Sequence, residues 1–153
     1  MMAIIKHDDL HETPWRDRYR VWNITGCSEG ISSALSYGQV EPGAGAPLHY
    51  HEADELIVIL DGALNAQVGD ETHSVGPSHT ILIPPLVPHK FTAIGPSDAR
   101  ILTFFPTPKP FESTTYIEGN PPAAFTKEMY LIRSAFSTYW KLTTLWRKDE
   151  ERI

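Results

Sequence analysis

Within seven residues the chain places three side chains that suit a cation: His49, His51 and Glu55. On an extended strand side chains alternate faces, so His49 and His51, two apart, present both imidazoles to one side as a pincer. Glu55 shares that parity, yet on a straight strand it would stand about 13 Å from His51 at ~3.3 Å per residue, too far to share one ion. The chain must therefore turn back between them. Glu52, Ala53 and Asp54 make a short reversal, and the apolar run Leu56 to Leu60 leaves as a second strand with Glu55 at its mouth. A tetrahedral or octahedral ion needs at least one donor more. The stretch from Gly76 to His89 supplies it: an apolar strand, a turn bounded by Pro84, Pro85 and Pro88, and then His89, the candidate fourth ligand, opening the next strand.

His49, His51, Glu55 and His89 together offer imidazoles and a carboxylate but no thiolate. Such a set disfavours soft ions and iron–sulfur clusters, and leaves Fe(II), Mn(II), Ni(II), Co(II) or Zn(II), one divalent ion per chain. In an octahedral site the positions left open suit a bidentate oxygen substrate, or a substrate oxygen together with dioxygen, with the metal as Lewis acid and template. Strand parity puts Ile57, Ile59, Phe91 and Ala93 on the ligands' side, where an apolar substrate pocket would exclude water. For a catalytic group besides the metal, Tyr37 and Gln39 on the preceding strand are the candidates, provided their shared parity is inward. His79 lies beside the proline turn; His7, His11 and His73 fall in terminal or hairpin contexts and are expected in solvent, as are Glu52 and Asp54.

The elements that must position these residues read as antiparallel β structure. Short runs recur every 8 to 12 positions between turn residues: Ser33–Val40, Leu56–Leu60, Leu64–Val68, Thr72–Val75, Thr80–Ile83, His89–Ile94 and Arg100–Phe105. Asp61-Gly62 and Gly69-Asp70 are hairpin signals. About eight strands result, enough to close a small barrel around one ligand. Ahead of them, Trp15–Ile24 reads as an edge strand whose Arg16, Arg18 and Arg20 are expected on a solvated face, a binding patch being the sharper alternative. The run Leu56–Leu60 is apolar on both faces, so its outer side needs cover from a terminal helix or a second subunit.

From Pro106 onward, five prolines up to Pro122 punctuate a segment expected to wrap the surface in extended form. After Ala123 proline and glycine vanish. Thr126 suits an N-cap, Phe125 and Tyr130 a hydrophobic staple, and Met129, Ile132, Phe136 and Trp146 keep near-helical spacing, which predicts one long or two shorter helices. The organisation expected is therefore an N-terminal arm and edge strand over 1–30, a barrel over 31–110, and an extended segment with a C-terminal helix or helices over 111–153.

With 153 residues the chain is one domain's worth. Its 13 Lys and Arg against 19 Asp and Glu give a net charge of −6, which argues against a phosphate-tracking surface and hence against nucleic acid as a partner. Cys27 is the sole cysteine, so no intrachain disulfide forms and a reducing compartment is the simpler expectation. The first residues turn acidic without a long apolar core, and no apolar run approaches a membrane span; a cytoplasmic protein with no membrane partner is expected.

The residues around the candidate ligands resemble the cupin family. Its first motif, G-x5-H-x-H-x3-E-x6-G, is matched at each fixed position by Gly43, His49, His51, Glu55 and Gly62. Its second, G-x5-P-x-G-x-x-H-x3-N, is matched by Gly76, Pro84 and His89, with a longer first spacer, Leu86 in place of the glycine and Ala93 in place of the asparagine. The resemblance implies an all-β jelly-roll barrel (a double-stranded β-helix), here with the C-terminal helical extension, and a homodimer. It also implies a range of activities: dioxygenases, isomerases and lyases working through an enolate, and small-molecule-binding modules. An Fe(II)-dependent dioxygenase acting on a small oxygenated molecule is favoured, because the site is able to hold substrate and oxygen together inside an apolar barrel.

Overall fold

The computed structural model describes residues 4–26 and 29–125. Among them, strands β1 (Glu12–Arg16), β2 (Tyr19–Thr25), β3 (Ala34–Val40), β4 (Gly45–Tyr50), β5 (Glu55–Asp61), β6 (Ala63–Val68), β7 (Glu71–Val75), β8 (Thr80–Ile83), β9 (His89–Ile94), β10 (Ala99–Phe105) and β11 (Thr115–Tyr116) follow in order. They form a six-stranded sheet, β1-β2-β3-β10-β5-β8, and a five-stranded sheet, β11-β4-β9-β6-β7, paired antiparallel throughout. This is the expected all-β jelly roll.

Alternation decides which residues fill it. On β5, Glu55, Ile57 and Ile59 are buried while Leu56, Val58 and Leu60 are exposed. On β9, His89, Phe91 and Ala93 are buried, and on β10 Ala99, Ile101, Thr103 and Phe105. Their inner faces meet in one apolar core containing Tyr19, Val21, Val40, Ile57, Leu64 and Ile101. Burying a side chain such as Ile57 or Leu64 contributes about 1.5–3 kcal/mol, so these positions hold the two sheets together. The hairpin expected at Asp61-Gly62 forms with Gly62 at φ 72, and a Cβ there would stand 2.6 Å from the Asp98 carbonyl oxygen. No other residue fits that corner.

Two expectations change. The edge strand over Trp15–Ile24 is in fact two strands, because Arg18 adopts a left-handed φ of 57 and reverses the chain between β1 and β2. The proline-rich segment is not only extended cover. It holds a 3-10 turn at Pro110–Ser113 and then β11, which pairs with β4. The chain divides into a unit over Met1–Asn120 and another from Pro121, in which a 3-10 turn spans Ala123–Phe125. The helices expected from Thr126 onward lie outside the described residues. No helix among the described residues is long and apolar enough to cross a membrane.

Candidate metal centre

The sheet pairings bring His49, His51, Glu55 and His89 together. His49 near the end of β4 pairs directly with His89 at the start of β9, and their rings lie 4.2 Å apart. His51 follows just past β4, and the chain reverses over residues 52–54 as the spacing required, so that Glu55 enters on β5. One donor atom from each of the four residues lies within 4.8 Å of every other. All four residues are buried, His51 and His89 to 1% exposure.

Hydrogen bonds fix which ring nitrogen faces the centre. Nδ1 of His49 donates to the Pro47 carbonyl at 2.7 Å, that of His51 to the Ala53 carbonyl at 2.7 Å and that of His89 to the Val87 carbonyl at 2.9 Å. A carbonyl only accepts, so each Nδ1 carries a proton and Nε2 is the atom each ring turns to the centre, a free lone pair whenever the imidazole is neutral. This is the tautomer and orientation that metal-bound imidazoles show when an outer carbonyl holds the other nitrogen. His89 Nε2 is buried with no hydrogen bond of its own, although the Glu55 carboxylate lies 3.1 Å away at an unsuitable angle. A buried, unsatisfied lone pair is costly, and a cation at this point would relieve it. The residues present fit a divalent ion.

The charges agree. Burial pushes the Glu55 carboxyl up, but its hydrogen bond with His51, its close contact with His89 and the positive charge of both imidazoles outweigh it and hold the group at about 2. Glu55 is therefore ionised at any ordinary pH. His49 is held down at about 4, first by burial and then by the neighbouring His89 charge, so it is neutral and ready to donate a lone pair. His51 loses solvation too, yet its contact with Glu55, 3.0 Å from Nε2, raises it overall.

An aromatic wall surrounds the centre. Phe105 stands edge-on to His51 with ring centres 5.4 Å apart, Phe111 packs on Phe105 at 5.4 Å, and Trp15 packs on Phe111 at 5.1 Å and on Tyr19 at 6.2 Å. Tyr116, facing His49 across the β11–β4 pairing, stacks on that imidazole at 5.4 Å and 17°. Arg16 lies over the Tyr116 ring, its guanidinium carbon 5.3 Å from the ring centre. Sequence spacing did not single out Phe105, Tyr116 or Arg16 as neighbours of the ligands. The available signal was a β-prone Thr-Thr-Tyr-Ile among prolines, which marks an edge strand but not its partner.

Ile57, Ile59, Phe91 and Ala93 face inward as parity requires, with exposures of 1–5%. All belong to the packed core, so they fill the barrel behind the ligands as much as they line a pocket. Tyr37 and Gln39 are on the other side. Their neighbours Gly38 and Val40 take the inner face of β3; Tyr37 packs against Trp22 at 5.6 Å and lines an outer crevice of about 260 Å³ with His7, Asp8 and Ile24. Gln39 donates to Asp98 at 2.7 Å. The expected catalytic roles of Tyr37 and Gln39 are thus corrected: β3 presents the opposite parity. His7, His11, His73 and His79 are exposed, as are Glu52 and Asp54.

The geometry has counterparts. The cupin domain model matches residues 36–105. An uncharacterized protein of Methanocaldococcus jannaschii is 32% identical over 91 residues, covering 59% of this chain and 73% of that protein. Among solved structures, the polyketide cyclase RemF from Streptomyces resistomycificus superposes with a TM-score of 0.65 at 22% identity, covering 85% of this chain and 97% of that one. Oxalate decarboxylase from Bacillus subtilis gives 0.64 at 20% identity and covers 74% of this chain. This chain spans only 31% of the decarboxylase. KdgF from Halomonas sp. gives 0.61 at 16% identity over 69% of this chain and 94% of that one. At such identities the likeness is one of architecture. Joined to the matched domain and the archaeal relative, it makes this chain a member of the cupin superfamily.

Proposed function

We propose that this chain is a metal-dependent enzyme acting on a small oxygenated organic molecule, and within that class an Fe(II) dioxygenase. The observation that carries the reading is the set of Nε2 lone pairs on His49, His51 and His89, each aimed by an Nδ1 bond at one buried point beside the ionised Glu55. When bound, the metal supplies Lewis acidity towards substrate oxygens and, as iron, an electron route to dioxygen.

The chain's own residues do the rest. The carbonyls of Pro47, Ala53 and Val87 hold the imidazoles in register, so little reorganisation accompanies ligand binding. Glu55 supplies fixed negative charge in a site where burial strengthens every electrostatic term. Phe105, Phe111 and Trp15 keep water away on one side, and the core around Ile57 and Phe91 does so on another. A dry, apolar surround protects oxygenated intermediates, and this supports the oxygenase over a hydrolytic role.

The test is metal analysis of protein purified without added metal, followed by oxygen uptake on a panel of diketones and catechols. Iron near one equivalent with oxygen consumption supports the dioxygenase. Turnover of the same panel under strict anaerobiosis with Mn(II), Ni(II) or Zn(II) would replace it by a non-redox isomerase, lyase or decarboxylase. Ligand binding without turnover under either condition would leave a binding module.

A further inference from the structure

The described residues contain Lys6, Arg16, Arg18, Arg20, Lys90, Arg100 and Lys109 as side-chain cations. Six have a carboxylate within ion-pair distance: Lys6–Asp8, Arg18–Glu41, Arg20–Glu12, Lys90–Glu118, Arg100–Asp61 and Lys109–Glu112. Arg16 has none among the described residues. It is also the cation turned towards the ligand set. Its strand partner is Tyr19, whose side chain is buried in the barrel, and its guanidinium lies over Tyr116, which in turn stacks on His49. The phenols of Tyr19 and Tyr116 both feel the negative charge of Glu55 and the positive charge of Arg16, which places these groups in one electrostatic neighbourhood.

A half-buried guanidinium without a counter-charge is costly, and the Tyr116 face offsets only part of that cost. Of its five N–H donors, one goes to the Asn120 carbonyl at 2.7 Å and another to the Tyr116 side chain. The fork of the remaining donors matches a carboxylate in two-point geometry. We infer that Arg16 is the specificity-determining residue of this site, binding the carboxylate of a small organic acid whose other oxygens reach the His49, His51, Glu55 and His89 cluster. The inference deepens the functional reading above and rests on it for the second half only. Among the described residues only one cation faces the site, so a singly charged carboxylate is matched and a doubly charged phosphate is not. The Arg16 guanidinium carbon lies 5.3 Å from the Tyr116 ring centre and that centre 5.4 Å from the His49 ring, a span that suits an acid of a few carbons.

The experiment measures binding by calorimetry and Trp fluorescence, on chelator-stripped and on Mn(II)-loaded full-length protein. Paired probes are lactate with lactamide, pyruvate with pyruvamide, and methyl phosphate. Wild type is expected to prefer each acid to its amide by at least 10-fold. Arg16→Gln should erase that preference with unchanged metal content, Arg16→Lys should keep part of it, and Arg20→Gln, which removes an outward ion pair, should match wild type. An acid preference that survives in a folded Arg16→Gln protein overturns the inference. So does equal binding of acid and amide by wild type, or methyl phosphate bound as tightly as lactate, or a lowered melting temperature as the sole effect of Arg16→Gln, which would make Arg16 a tether for the segment at Asn120. Failure of the protein to take up metal bears on the functional reading alone, since the stripped protein still reports on Arg16.

Discussion

The backbone N–H of Leu86 donates to the carbonyl of His51 at 2.7 Å, tying the proline turn ahead of His89 to the reversal ahead of Glu55. Leu86 makes this bond from a left-handed φ of 63, at the position where the cupin motif has glycine. Its side chain is 60% exposed, so it gains little from burial. A branched residue in that region costs about 1–2 kcal/mol relative to glycine, against roughly 0.4–1 kcal/mol that glycine loses through unfolded-chain entropy. Leu86→Gly is therefore expected to stabilise the protein by about 0.5–1 kcal/mol, read as a higher denaturant midpoint at constant slope. A lower midpoint would mean that the leucine side chain has packing the exposed surface hides.

Removing one ligand tests the centre directly. Glu55→Gln keeps size and shape, but replaces the carboxylate beside His51 and His89 with a neutral amide. Loss of an outer hydrogen-bond partner at a metal site costs about 10- to 100-fold in affinity, and loss of an anionic ligand should exceed it. Metal titration monitored by calorimetry should show a weakening of more than ~100-fold for Glu55→Gln. His51→Ala should remove stoichiometric metal altogether. Retention of a full equivalent by His51→Ala would place the ion elsewhere.

Acid should act through His49 and Glu55 in different windows. His49 is depressed from 6.5 to about 4, so its neutral burial supports folding fully above pH 6.5 and that support is lost as pH falls to about 4. Glu55 is depressed from 4.5 to about 2, so its contribution is complete above pH 4.5 and disappears as pH falls to about 2. His51 runs the other way: raised above 6.5, it adds stability below 6.5 and loses it as pH climbs through its folded value. For metal-free protein, the melting-temperature gap between wild type and Glu55→Gln should therefore close between pH 4.5 and 2. Bound metal must displace protons from the imidazoles, so the stabilisation given by added metal should shrink as pH falls from 7 to 5 and vanish with chelator. A gap unchanged down to pH 2 would deny the Glu55 contacts.

Much of this was legible because β structure has a period of two. The parity of His49 with His51, and of Glu55 with Ile57 and Ile59, follows from spacing, and so does the need for a turn over residues 52–54. Which absolute parity a strand adopts is not local information. Tyr37 and Gln39 share a face as spacing says, but the Ile101 and Tyr19 side chains crowd against Gly38, the one residue of that stretch small enough to face inward there. The same limit hid Tyr116. Its strand has two residues, and only the pairing with β4 sets it on His49. Arg16 was grouped with Arg18 and Arg20 on a solvated face, because spacing does not show that Arg18 lies at a left-handed turn that breaks the apparent alternation.

The outer face of β5 carries the last expectation. Leu56, Val58 and Leu60 are 36–47% exposed at the interior of a sheet, and Leu82 on the adjacent edge strand β8 is 65% exposed. An exposed apolar face needs cover, and a twofold contact between identical chains would bury the same residues on both sides, so the occupant we propose is a second copy. Val58 and Leu82 both point away from the ligands, so charge there should separate subunits without touching metal. Val58→Glu and Leu82→Glu are each expected to shift the mass measured by light scattering from dimer to monomer, with metal content unchanged. Wild type running as a monomer at micromolar concentration, or both variants remaining dimeric, would assign this face to something other than self-association.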